Sequence, residues 1–140
     1  MSIPVILSIR GTQSYPEQEP EVIELITEGT LEAAEDGWKL TYEESDLTGL
    51  QGVTTTFHVA PGVITLTRKG PLCSEMVFRE GQLHESLYRM DFGALMITVC
   101  ASKVRYDITS KGGTIDLTYA IEIEQTAAGH IQYHLDIRAK

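Results

Sequence analysis

From residue 115 onward the chain alternates between apolar and polar side chains. Ile115, Leu117, Tyr119, Ile121 and Ile123 share one phase, and Asp116, Thr118, Ala120, Glu122 and Glu124 the other. A repeat of two is the signature of a strand with one face turned to a core. The same pattern returns in Ile131, Tyr133, Leu135 and Ile137 against His130, Gln132, His134, Asp136 and Arg138. Ala127-Ala128-Gly129 predicts a hairpin turn between these strands, and Lys111-Gly112-Gly113 predicts the turn before them. Near the start, Val5, Leu7 and Ile9 alternate. Residues 21–34 form an extended run, and Glu35-Asp36-Gly37 turns it into Trp38, Leu40 and Tyr42. A Gly-containing connection covers residues 46–52. Strands at 53–60 and 63–69 flank Pro61-Gly62. Leu72, Met76 and Phe78 share a face before a turn at Glu80-Gly81, and residues 83–90 carry apolar side chains in both phases.

Leu95, Ile97 and Val99 are apolar in odd phase, whereas Val104, Tyr106 and Ile108 are apolar in even phase. A flip inside one long strand predicts a β-bulge near Ser102-Lys103, because one extra residue restores the apolar face to the core. A helical reading of residues 21–26 is spoiled by Thr27, Gly29 and Thr30. The whole predicts an all-β domain of eight to ten antiparallel strands. A sheet of that width must curl or close to hide its edges. Short links between sequential strands favour an up-and-down barrel over Greek-key crossings. No repeat or second domain interrupts residues 1–140.

Composition agrees: the chain has 42% hydrophobic and 22% charged residues, which is enough to fill one core. The net charge of −9 argues against nucleic acid, which requires a basic footprint. The acids are uneven. Residues 17–46 hold 11 Asp/Glu and one base, Lys39, while the rest of the chain holds 9 acids and 10 bases. A solvated hairpin is the expected meaning, with little fixed pairing. The first residues lack the basic and apolar regions of a signal peptide, no run has membrane-spanning length, and cytoplasm is the expected address. Cys73 and Cys100 are too few for a disulfide scaffold and are expected to stay unbridged, since the strand 83–90 separates theirs.

One stretch, residues 40–93, resembles a known group. Tyr42-Glu43-Glu44 is followed by Asp46-Leu47 and a Thr-rich strand, then by Arg68 and Gly70, Phe78 and Gly81, Tyr88, and Phe92-Gly93. In order and spacing these are similar to the YwiB-like family, small bacterial proteins of unknown function. The resemblance implies a calycin-like barrel, of the lipocalin or fatty-acid-binding-protein kind. It implies no activity, and fold alone does not supply one.

Catalytic motifs are absent: there is no P-loop, no dinucleotide-binding glycine pattern and no nucleophile elbow. His130 and His134 would lie about 13 Å apart on a strand, too far to share a metal. Neither cysteine falls on an apolar face. Glu43 and Asp46 read as solvated. More informative are Glu44 and Arg68. By alternation Glu44 continues the inward face of Trp38, Leu40 and Tyr42, and Arg68 continues Ile64 and Leu66. A charge near the end of a barrel interior must be paired or wet. It is either a structural ion pair or an anion-recognising arginine inside a cavity. Tyr42, Tyr106, Tyr119 and Tyr133 lie on apolar faces, as Tyr88 can, and each hydroxyl needs a partner.

These residues, with Met76 and Phe78, form the candidate ligand-binding set. The reading they support is a non-enzymatic barrel for a small amphipathic ligand that can carry an anionic group. The alternative is a structural or protein-interaction barrel filled by side chains, and interior volume distinguishes the two. No catalytic residue, metal site, cofactor or membrane partner is expected, and an enzyme is the least supported class.

Overall fold

The computed structural model describes residues 2–14, 18–44, 51–90 and 93–140. Glu17, Asp46, Leu47 and Phe92, which the sequence reading used, lie outside them. Ten strands follow one another: β1 (Ser2–Ser14), β2 (Glu21–Ala34), β3 (Gly37–Glu43), β4 (Thr54–Ala60), β5 (Val63–Lys69), β6 (Leu72–Phe78), β7 (Leu83–Met90), β8 (Gly93–Thr109), β9 (Gly112–Ile123) and β10 (Thr126–Ala139). Each pairs antiparallel with the next, and β1 pairs with both β2 and β10, closing an up-and-down barrel. The fold is all-β and calycin-like. Closure satisfies both edges of the sheet. No helix among the described residues is long and apolar enough to cross a membrane.

Alternation sorts the strands as the pattern requires. Val5, Leu7, Leu31, Leu40, Phe57, Ile64, Leu66, Ile115, Leu117 and Leu135 are fully buried and form the packed centre. The phase change in β8 is a bulge between Ala101 and Lys103. It carries the inward face from Ala101 to Val104, so a strand of 17 residues stays apolar on one side.

One turn differs from expectation. The β9–β10 hairpin turns at Glu124-Gln125, both at positive φ (52° and 66°), and Ala127–Gly129 is a bulge within β10. Positive φ at two central residues gives the twist that a two-residue hairpin needs, and Asn or Gly usually supplies it. Here β8 holds the turn instead: Glu124 N–H donates to Met96 O at 2.8 Å, and Met96 N–H donates to Glu124 Oε1 at 2.8 Å.

Among the described residues of the acidic segment the acids are exposed apart from buried Glu44, but they are more paired than expected. Glu24 meets Arg10 at 3.8 Å, Asp36 meets His58 at 2.9 Å, and Glu28 meets Lys140. The barrel partners explain this, because β1, β4 and the C-terminus supply the bases that the segment lacks.

The barrel has one weak seam. β6 and β7 pair only at Leu72↔Met90 and Cys73↔Arg89, whereas β5 and β6 pair from Ile64↔Phe78 to Arg68↔Ser74. Beyond Cys73 a side chain takes over: Val77 N–H donates to His84 Nδ1 at 3.3 Å. No residue of β7 is fully buried. Cys73 and Cys100 oppose Arg89 and Leu83, near the two ends of β7, so about 20 Å of strand separates them and both are free thiols.

Candidate functional site

Four neighbouring strands, β3 to β6, place polar residues on the barrel's inner face. Register aligns Tyr42 with Thr55, Thr55 with Arg68, and Arg68 with Ser74. The row directly beneath is Leu40, Phe57, Leu66 and Met76. A polar rung thus caps an apolar core toward the end where β3 leaves and β4 enters.

Two charges meet here: Arg68 on the rung and Glu44, two residues beyond Tyr42. Arg68 Nε lies 3.9 Å from Glu44 Oε2, with side chains 12% and 2% exposed. Thr55 Oγ1 donates to Glu44 Oε2 at 2.6 Å, and the Tyr42 hydroxyl also donates to Glu44. The Tyr133 hydroxyl hydrogen-bonds Arg68. Burial alone would lower the guanidinium's pKa, but Tyr133, Tyr119 and Glu44 together outweigh it and hold the pKa above the ordinary value. Arg68 therefore stays charged. Burial raises the pKa of the Tyr42, Tyr88 and Tyr119 phenols, so all three are neutral donors at neutral pH. Two buried polar atoms among the described residues lack a hydrogen-bond partner: Arg68 Nε and Ser74 Oγ, which belong to cross-strand neighbours.

Beside Arg68 lies a cavity of about 60 Å³. Its polar wall is Tyr42, Glu44, Arg68, Tyr133 and Gln13, and its apolar wall is Ile9, Gly11, Ile23, Leu25 and Ile131. Gly11 is opposite Tyr133, and a Cβ there would sit 3.2 Å from Tyr133 Cε1. The missing side chain lets the tyrosine ring lie against β1. Tyr133 packs on Tyr119 at 6.5 Å between ring centroids, and Tyr119 packs on Phe78 at 4.5 Å.

The fold unites part of the expected set. Tyr42, Glu44, Arg68 and Tyr133 line the cavity. Tyr119 supports Tyr133 from behind, and Tyr88 is near enough to Arg68 to feel its charge. Met76 and Phe78 belong to the buried core and do not line the cavity. Tyr106 faces inward but pairs with Ile115, two residues beyond Leu117, the partner of Tyr133. It does not line the cavity either. The expectation missed Thr55 and Ser74. Both share the phase of an apolar strand face, Thr55 with Phe57 and Val59, Ser74 with Met76 and Phe78, so alternation could have found them. It could not have found the wall from β1, β2 and β10, which only barrel closure brings to Arg68.

On the outer face His134 donates to Asp116 Oδ1 at 2.7 Å through Nδ1 and to Asp136 Oδ2 at 3.2 Å through Nε2. The hydrogen bond to Asp116 raises its pKa most, desolvation opposes it, and the charges of Asp116 and Asp136 add to the rise. Among the described residues no three His, Cys, Asp or Glu side chains gather as metal ligands.

A search of the curated proteins finds no match. The chain is similar in structure to the crystal structure of the ywiB protein from Bacillus subtilis, with a TM-score of 0.87 and 22% sequence identity. The superposition covers 99% of this chain and 93% of that one. A model of a domain of unknown function, DUF1934, matches residues 7–137.

Proposed function

The chain belongs to the DUF1934 family, and for this member we propose a non-enzymatic role: the barrel binds a small amphipathic ligand whose polar head meets Arg68. The observation that carries this reading is a buried guanidinium on the wall of a cavity whose opposite wall is apolar. Such pairing of a few polar groups with an apolar surface orients a bound molecule. The cavity holds roughly four to six waters, or a group of about that many heavy atoms. It is far smaller than the several hundred Å³ of a drug-sized pocket. The ligand is therefore small, or only its head enters. A cytoplasmic site of action belongs to this reading, and the two free thiols accord with a reducing compartment.

A second reading, a structural barrel with a filled interior, is favoured by the Glu44–Arg68 contact and by the closely packed core beneath it. Ligand-observed NMR decides between them. A panel of amphiphiles of up to six heavy atoms, with alcohol, amine, amide, carboxylate and phosphate heads, is screened against the wild type and Ile23→Phe. Ile23 lies on the cavity wall and is 38% exposed, so a phenyl ring there narrows the cavity without entering the core. Saturable binding of any member, lost in the variant, supports the ligand reading. Absence of binding across the panel leaves the structural one.

A further inference from the structure

The hydrogen-bonding inventory around Arg68 is lopsided. The guanidinium carries five N–H donors and no acceptor. Ser74, the cross-strand neighbour of Arg68 outside the cavity lining, has an Oγ that, like Arg68 Nε, has no partner. The Tyr133 hydroxyl on the cavity wall accepts from Arg68 and has its own O–H to donate. Glu44 is the carboxylate among the described lining residues, and it already accepts from Thr55 and Tyr42. A buried donor without an acceptor costs about 1 to 3 kcal/mol, so Arg68, which lines a space of about 60 Å³, presents a guanidinium whose Nε–H lacks an acceptor.

From this unmet donor we infer that the ligand head is a monocarboxylate, with two to four carbons enclosed in the cavity. The inference rests on the small-ligand reading above and specifies its chemistry. A carboxylate offers two acceptor oxygens and no donor, and it matches the planar fork of arginine. An ammonium would face a like charge at Arg68. An alcohol accepts with one neutral oxygen, where a carboxylate offers the fork two charged ones. A phosphate dianion would place two charges beside Glu44, whose buried carboxylate is 3.9 Å from the same guanidinium. A monoanion adds one. The apolar end of the molecule lies on Ile9, Leu25 and Ile131.

The test is a two-dimensional amide and arginine Nε–H NMR titration of the full chain at constant ionic strength. Butyrate, butylamine, 1-butanol and methyl phosphate are added in turn. Butyrate is expected to shift the Arg68 Nε–H and Gly11 amide signals saturably, and the other three to bind roughly tenfold more weakly or not at all. Arg68→Lys keeps the charge but loses the fork, and is expected to weaken butyrate roughly tenfold. Tyr133→Phe keeps the ring on Tyr119, so its fold serves as the reference if the arginine variant unfolds, and it too is expected to weaken butyrate. If the amine, the alcohol or the phosphate binds as tightly as butyrate, the carboxylate assignment is wrong while the cavity remains a ligand site. If none of the four binds, the site reading falls together with the assignment.

Discussion

Arg68 Nε sits 3.9 Å from Glu44 Oε2, and both side chains are buried where β3 and β5 end at the same mouth of the barrel. Removing one partner leaves the other charge uncompensated in a buried site. Arg68→Met is expected to lose about 3 to 5 kcal/mol. The double variant Arg68→Met with Glu44→Gln should recover much of that, read as urea midpoints at constant slope. A single variant as stable as the wild type would show that the pair contributes nothing to the fold.

Thr55 supports the same carboxylate from β4 with a 2.6 Å hydrogen bond. Thr55→Val keeps the volume and deletes the donor. A hydrogen bond to a charged group is worth about 1.5 to 3 kcal/mol, which is the loss expected in chemical denaturation. A change under about 0.5 kcal/mol would mean that Glu44 is held well enough without Thr55.

His134 links stability to pH from the outside of the barrel. Its pKa is raised in the folded state, chiefly by the Asp116 hydrogen bond, so folding favours the imidazolium. The resulting stabilisation is fully present below the unfolded histidine value of about 6.5 and fades as pH rises through the higher folded value. The side chain is 44% exposed, so the effect is screened and small. Denaturation midpoints of wild type and His134→Gln should differ most below the unfolded value of about 6.5 and converge as pH rises through the higher folded value. A gap that widens with pH would reverse the assignment.

The β6–β7 seam is expected to open before the rest of the barrel. Its ladder stops at Cys73↔Arg89, and His84 Nδ1 takes the place of a backbone acceptor for Val77. Amides along β6 and β7 should exchange faster than those of β4, β5 and β9. His84→Ala should speed exchange at Val77 by about five- to tenfold. Uniform protection around all ten strands would show that the seam is closed in solution.

Most of the barrel was legible because a strand with one buried face must write its alternation into the sequence, and the bulge in β8 appears there as a change of phase. Glu44 and Arg68 were legible for the same reason: each continues an apolar face with a charge, which is costly without a partner. The resemblance to the YwiB-like family agrees with the family match and with the solved barrel. Some features lie beyond the reach of a local pattern. The turn at Glu124-Gln125 has no turn residues and is held by Met96, which is distant in sequence. The cavity wall from Ile9, Leu25 and Ile131 meets Arg68 only because β1 pairs with β10 and closes the circle. The exclusion of Tyr106, Met76 and Phe78 from that cavity is a matter of height along the barrel, set by strand register. Alternation determines which side of a strand a residue faces. Only the closed sheet decides how far along the axis it stands, and with which distant strands it shares a space.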